Sequence, residues 1–265
     1  MSGVRKTTRV VLRLESFGAS TPALRTIARL ARAMEAELAA RLVKDSRLAA
    51  AMAFHDPGTP SELSAHHIER SLRRRIESIA VETNAAWTFG IAECAGVFAS
   101  ECALHADDFL AIALPEIEQM MAVLREEISN ALARGAGVLL VPRTQPQQSR
   151  ALVGVISHAS GLSQVIAVSS QLAAHLREPL ALVVVDDRDL VERVHREITG
   201  DRNAPIALHV VPTSQLENLA PYVRSLRPKQ VVAAPRPSTI REFLQRPRML
   251  REMSAPVLLL PAEED

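Results

Sequence analysis

Few residues in this chain of 265 have types and spacings that suggest chemistry. Ser157-His158 is the nearest approach to a nucleophile beside its base. A nucleophile also needs a group that orients the base, and no G-x-S-x-G turn accompanies this pair. Neither a G-x4-G-K-S/T loop nor a G-x-G-x-x-G fingerprint occurs anywhere. Cys94, Cys102 and His105 suggest part of a zinc set. A structural zinc takes four ligands, with cysteines typically two to four residues apart. Here the gap is wider and falls on a predicted helix over 95–105, so buried thiols account for the pair. His66 and His67 are neighbours that face different ways on a helix. His55-Asp56 lies in a loop and suits surface turn chemistry. No complete hydrolytic or metal-binding set emerges.

The elements that must position such residues are short apolar strands alternating with amphipathic helices. Strands are predicted near 9–15, 39–44, 86–92, 108–113 and 137–142, with helices near 22–38, 61–83, 95–105 and 116–134. The first helix has Thr21 as a possible cap and Pro22 suited to its first position. Leu24, Ile27, Ala28, Ala31, Met34 and Leu38 recur at three- and four-residue spacing and make one apolar face. Leu72, Ile76 and Ile79 do the same in the second helix. The run Arg73-Arg74-Arg75 looks like a binding patch. It equally suits a solvated helix face with Glu69–Arg73 and Arg73–Glu77 pairs at i,i+4. The second part of the chain predicts strands near 151–156, 180–185, 205–211, 229–234 and 256–261. Alternation of this kind means right-handed crossovers and a parallel sheet covered on both faces.

The chain repeats itself. With a shift of 141 residues, RVVLRLES (9–16) falls on RALVGVIS (150–157), and AARLVKD (39–45) on LALVVVD (180–186), setting Asp45 over Asp186. GAGVLLVPR (135–143) and SAPVLLLPA (254–262) are nearly the same apolar word, aligned with a shift of 119. The first part carries extra residues around 48–67, a long insertion of the kind that forms a lid, a binding surface or a passive elaboration. Two domains follow, over 1–147 and 148–265, each a five-stranded parallel α/β unit. The two last strands, VLLVP and VLLLP, are uncharged and would be liabilities as bare edges. Pairing them antiparallel about a pseudo-twofold axis removes both edges at once, as in a fused twofold dimer.

These residues resemble the universal stress protein family. The closing stretch MLREMSAPVLLLP (249–261), the acidic entry ADDFLAIALP (106–115) with its counterpart RPKQVVAAPR (227–236), and the opening RVVLRLESFGAS (9–20) carry the likeness. The resemblance implies a strand order 3-2-1-4-5 in each domain, with the fifth strands at a dimer-like seam. For members that bind nucleotide it implies ATP or AMP held by three features. These are an acid ending strand one, backbone at the end of strand two, and a glycine loop after strand four of pattern G-x2-G-x9-G-S/T. Glu15, with Ser16 beside it, stands at the acid's place in the first domain. By the shift of 141 the second domain has Ile156 there, followed by Ser157 and His158. Val43 and Val185 mark the ends of strand two. The phosphate loop fails in both domains, since 114–134 and 233–265 contain no glycine. Pro235 and Pro237 stand where amide donors are wanted, and proline has none. Gly135 and Gly137 lie too late and read as the end of the preceding helix. Arg236 and Arg241, with Arg246 and Arg248, could offer guanidinium forks instead, or lie along an exposed helix flank.

Composition narrows the function classes. Apolar residues are 48% of the chain and aromatics 3%, which suits helices on parallel strands. The net charge is +1, spread evenly, and argues against a nucleic-acid partner. Two cysteines make no disulfide framework, and no run is long enough for a signal peptide or a membrane span, so a cytoplasmic protein is expected. The expected function is a non-enzymatic, universal-stress-like regulatory protein with no cofactor. It would bind a protein partner or a small metabolite, as a pseudo-dimer within one chain that could assemble further. The alternative is an adenine-nucleotide binder with slow ATP turnover.

Overall fold

The computed structural model describes residues 8–14, 20–45, 61–94, 98, 104–114, 121–142, 151–200, 206–212, 214, 219–236 and 255–261. In chain order they form β1 (Arg9–Leu14), α1 (Thr21–Ala33), β2 (Glu37–Asp45), α2 (Ser61–Thr83), β3 (Trp87–Cys94), β4 (Phe109–Ala113), α3 (Met121–Ala133) and β5 (Gly137–Val141). There follow β6 (Ala151–Ile156), α4 (Leu162–Leu176), β7 (Leu180–Asp186), α5 (Arg188–Gly200), β8 (Ile206–Pro212), α6 (Leu219–Ser225), β9 (Pro228–Ala233) and β10 (Val257–Leu259). The ten strands lie in one sheet, in the order β3-β2-β1-β4-β5-β10-β9-β6-β7-β8. Outward from the middle, both directions read fifth, fourth, first, second, third.

The single antiparallel step falls at the centre, where Val257, Leu258 and Leu259 of β10 face Leu140, Leu139 and Val138 of β5. Every other neighbouring pair is parallel. Thus the two uncharged terminal strands remove each other's edge. What would have been two sheets becomes one. A core of buried side chains runs under the seam on one face. It takes in Leu12, Ile27 and Leu38 from the first half, Leu139 and Leu258 at the centre, and Leu152, Val165 and Leu182 beyond. On the other face the core is divided, with Phe98, Leu110 and Ile128 on one side and Val153, Val183 and Val223 on the other.

The structure corrects the repeat by one residue. Val10 pairs with Leu38 and Leu152 pairs with Leu180, so the matched strands differ by 142 positions, not 141. The same offset carries the buried Ala23, Leu24, Leu30 and Ala31 of α1 onto Val165, Ile166, Leu172 and Ala173 of α4. It also carries the left-handed residue after α1, Glu35 (φ 54), onto the one after α4, Arg177 (φ 53). A strand has a period of two, so an offset of 141 would turn every side chain to the wrong face. Chain position Glu15 is therefore matched by Ser157, not by Ile156, and Asp45 by Asp187, not by Asp186.

Local chemistry explains the helix ends. Ser20, not Thr21, caps α1. Its backbone is extended (φ −63, ψ 150) and its Oγ accepts the amide of Ala23 at 3.4 Å. Thr21 is already helical, and its hydroxyl accepts a hydrogen bond from Arg75. Asp187 Oδ1 accepts the amides of Asp189 at 3.0 Å and Leu190 at 3.3 Å, capping α5. Gly135 (φ 77) ends α3 as expected, whereas Gly137 opens β5. A Cβ on Gly137 would lie 2.4 Å from Phe109 Cδ1, so the ring of the adjacent strand requires glycine here. The predicted third helix (95–105), the insertion from 48 to 60 with His55-Asp56, and Cys102 fall outside the described residues, apart from the helical Phe98 and the non-helical Leu104 and His105, which lead into a turn.

One buried hydroxyl is mismatched. Ser169 on α4 is fully buried, and its Oγ has no hydrogen-bond partner among the described residues. An unsatisfied buried hydroxyl costs about 1–3 kcal/mol. Ser169→Ala is expected to raise the urea midpoint by the equivalent of about 1 kcal/mol, read by equilibrium unfolding followed by circular dichroism. An unchanged or lower midpoint would mean that the hydroxyl is satisfied in solution.

Candidate functional site

In an open parallel sheet, ligands gather beyond the carboxyl ends of the strands, where the strand order reverses. This chain has two such places, between β1 and β4 and between β6 and β9. They are built differently.

At the second, the chain fills its own crevice. Ser157 follows β6 and is exposed. His158 is 5% exposed, and its Nε2 bonds the carbonyl of Ala234, just past β9. A carbonyl can only accept, so Nε2 carries the proton and Nδ1 is the acceptor for the hydroxyl of Ser160, 2.8 Å away. Gly161 completes the closure, because a Cβ there would lie 2.5 Å from Ala234 Cβ. The loop 157–161 is thus pressed onto the end of β9, and the imidazole is spent on holding it. His158 engages Ser160, which sequence reasoning passed over, rather than its neighbour Ser157. The signal was present as S-H-A-S-G, a turn-forming stretch, but nothing in it says which hydroxyl the ring meets. Val185 lies on β7, 6% exposed, one residue past the Val184–Ile156 pair and so near the same loop. Arg236 is exposed, two residues beyond the carbonyl that His158 holds. The structure therefore brings Ser157, His158, Val185 and Arg236 to one end of the sheet, while Arg241 lies outside the described residues.

At the first crevice, Leu14 ends β1 and Ala113 ends β4, with partly buried Val43 near the end of β2. Glu15 and Ser16 lie outside the described residues. Below the crevice is a polar group not anticipated from sequence. Glu127 of α3 is fully buried, accepts the amide of Phe98 at 2.7 Å, and lies 3.4 Å from Arg13 Nη1. Arg13 alternates with Leu12 and Leu14 along β1 and so faces α3. That strand-one arginine is readable as an inward charge only once the second face of the sheet is known to be covered.

At the opposite, amino ends of the strands, Asp108 enters β4 as the acidic residue of the ADDFLAIALP stretch. It is 1% exposed, bonded to the Arg9 guanidinium (Nε at 3.1 Å) and to the His105 amide at 2.9 Å. Burial pushes its carboxyl up, but the bond to Arg9, the His105 amide and the arginine's charge outweigh this and hold it below its ordinary value of 3.8. The matching position on β9 is Lys229, which pairs instead with Glu178.

The remaining candidates do not assemble. Cys94 is buried at the end of β3, and His105 is exposed. His66 and His67 are exposed on α2, with His66 Nδ1 3.9 Å from Glu69. Among the described residues no group of three or more histidine, cysteine or acidic side chains is arranged to hold a metal ion. The expected Glu69–Arg73 and Arg73–Glu77 pairs are not formed either. Arg73 and Arg74 are exposed on α2. Two open hollows indent the surface. One, of about 330 Å³, lies between the starts of α4 and the middle of α5, against Ser163, Arg193, Arg196 and Glu197. The other, of about 290 Å³, runs along α2 past His67, Arg70, Ser71 and Arg74.

This architecture is that of solved universal stress proteins. A universal stress protein from Archaeoglobus fulgidus DSM 4304 superposes with a TM-score of 0.58 at 11% identity, over 96% of this chain and 97% of that one. A functionally unknown protein from Pseudomonas aeruginosa PAO1 gives 0.60 at 11% identity, over 96% and 93%. The cytoplasmic domain of a prokaryotic cation chloride cotransporter gives 0.56 at 10% identity, over 97% and 96%. At these identities the likeness is one of fold. No protein-family model and no curated protein matches the chain. No described helix is long and apolar enough to cross a membrane.

Proposed function

We propose that the chain is a tandem of two universal-stress-like modules, 1–147 and 148–265, working as a non-enzymatic regulatory protein of the cytoplasm that binds a partner or a small metabolite. The observation that carries this reading is the mirrored strand order around one antiparallel step, with a common offset of 142 between the two halves. Loss of ordinary nucleotide binding accords with the second crevice, where the His158 loop is bonded to and closely packed on Ala234. It also fits the absence of glycine between 114 and 134 and between 233 and 265. A binding rather than catalytic use accords with the same fold serving as a cytoplasmic domain of a transporter in one solved neighbour. Fold alone does not fix function, so the reading rests on the site.

Adenine nucleotide is the second reading, and one asymmetry favours keeping it for the first half only. The residue after β1 is Glu15, whereas its match after β6 is Ser157. Thermal unfolding with ATP, AMP and a metabolite panel separates the two readings. A ligand at 100 times its dissociation constant adds about 2.7 kcal/mol to stability. No response to adenine nucleotides is expected. Stabilisation by ATP that Glu15→Ala abolishes and His158→Ala leaves intact would replace the first reading with the second.

A further inference from the structure

The longest described helix presents a face that the fold does not use. α2 has 23 residues where its counterpart α5 has 13. Its inner side is spent on the core through Leu72, Ile76, Ile79 and Ala80. On the opposite side His67, Arg70, Ser71, Arg74, Ser78 and Val81 lie along one side of the helix, each three or four residues from another of the set, and every one is exposed. The fourteen rises from His67 to Val81 make a stripe about 21 Å long. Within it there is no acidic side chain. Its first half is cationic and lines the hollow along α2. Its second half ends on Val81, which at 73% is the most exposed of the large apolar side chains described. Arg74 and its neighbour Arg73 make no ion pair among the described residues. Arg70 spends only its Nε, on the carbonyl of His66. Of the two acids that flank Val81, Glu77 and Glu82, the second is already held by Arg25 at 3.0 Å.

We infer that this stripe docks an acidic segment of a partner protein, one in which two acidic side chains about one helical turn apart precede an apolar residue. The inference rests on the partner-binding reading above and supplies its chemistry. Two exposed guanidiniums a turn apart present forks that match carboxylates in pairs. Val81 then gives the apolar end of the segment a surface to cover, so the stripe reads direction as well as charge. A small anion does not fit, because the hollow is walled by one helix and cannot enclose a ligand as metabolite pockets do. A nucleic-acid strand or an anionic membrane is a poor match too. Both present uniform negative charge, and the stripe turns apolar while Glu77 and Glu82 flank its far end. Arg70 and Arg74 stay clear of the core, so their replacement leaves the fold unchanged.

The test is selection of a displayed random 16-residue peptide library on the full chain. Winners are synthesised with a fluorophore and measured by anisotropy against the wild type and R70E/R74E. Enriched peptides are expected to carry a pair of acids followed by an apolar residue. Their affinity should fall at least tenfold on R70E/R74E and about threefold on Val81→Asp, and should weaken with added salt. R70E/R74E should unfold at the wild-type temperature. Winners that bind R70E/R74E as well as wild type would overturn the stripe while leaving the partner-binding reading in place. A selection yielding no binder at all would count against both. Tighter arginine-dependent binding of a 20-nucleotide single-stranded DNA, or of vesicles with phosphatidylserine, than of any peptide would reassign the surface to those ligands.

Discussion

Replacing Asp108 with alanine is expected to lower the unfolding free energy by about 3 kcal/mol, among the largest losses for a single change in this protein. Five bonds meet at this residue's side chain and backbone, two of them from the Arg9 guanidinium and one from its own amide to the His105 carbonyl. Its carboxylate takes the Arg9 guanidinium and the His105 amide, and its carbonyl takes the Gly137 amide at the start of β5. Truncation leaves the His105 amide without this acceptor and takes a carboxylate from the Arg9 guanidinium. Arg9 is 27% exposed and can turn to water, which keeps the loss at the lower end for a broken ion pair. Asp108→Asn retains an acceptor but not the charge, and is expected to cost about half as much. The pH dependence has a definite sign. The folded carboxyl is held below its ordinary value of 3.8, so around pH 4 the unfolded chain binds the proton more readily than the native one. The stabilisation is complete above the unfolded value. It is lost as the pH falls through that value toward the folded one. Urea unfolding between pH 7 and pH 3 should therefore show wild type losing its margin over Asp108→Asn below about pH 5. A constant margin down to pH 3 would mean that the carboxylate's charge contributes nothing.

Most of the architecture was legible because it rests on period. All ten strands were marked within a few residues, since each is a short apolar run closed by proline, glycine or a charge. The seam was legible for a different reason. Two uncharged edge strands in one chain are a problem with few solutions, and VLLVP against VLLLP is one of them. A continuous sheet would by itself argue against two modules. The proposal of two modules rests instead on the one antiparallel step and the mirrored order on either side of it. The repeat offset was missed by one because few residues are identical. A register that keeps strand, helix and strand in sequence looks equally good at 141 and 142. Only the pairing of Val10 with Leu38 and Leu152 with Leu180 fixes which side chains face inward.

The site was less legible because its chemistry depends on contacts distant in sequence. His158 meets a carbonyl 76 positions away, and nothing in SHASG announces Ala234. Nothing in the sequence marks Glu127 as buried, since glutamate is rarely buried without partners. Its partners are Arg13 and a backbone amide from a different segment. The arginine run on α2 was legible as two alternatives. Neither i,i+4 pair forms, and Arg73 and Arg74 are exposed.

Truncating the seam should disturb the far edge of the molecule. Leu258 of β10 and Leu139 of β5 face each other across the antiparallel step, and both are fully buried. Leucine to alanine in such a setting costs about 2–5 kcal/mol, through lost transfer energy and the cavity left behind. The core they share reaches from Leu12 and Leu38 to Leu152 and Leu182 without a break. A cavity at the seam therefore loosens both halves rather than one. The chain carries its own reporter. Its single tryptophan, Trp87, packs against this core from β3, at the end of the sheet five strands from β10. In Leu258→Ala the urea midpoint read by Trp87 fluorescence should fall together with that read by far-ultraviolet circular dichroism, as one transition. Leu139→Ala should do the same. The two changes combined should depart from additivity by at least about 0.5 kcal/mol, because the residues touch. A Trp87 transition that stays in place while circular dichroism develops an earlier step would show the halves unfolding independently. Fusion of the two sheets would then join them without making one cooperative core.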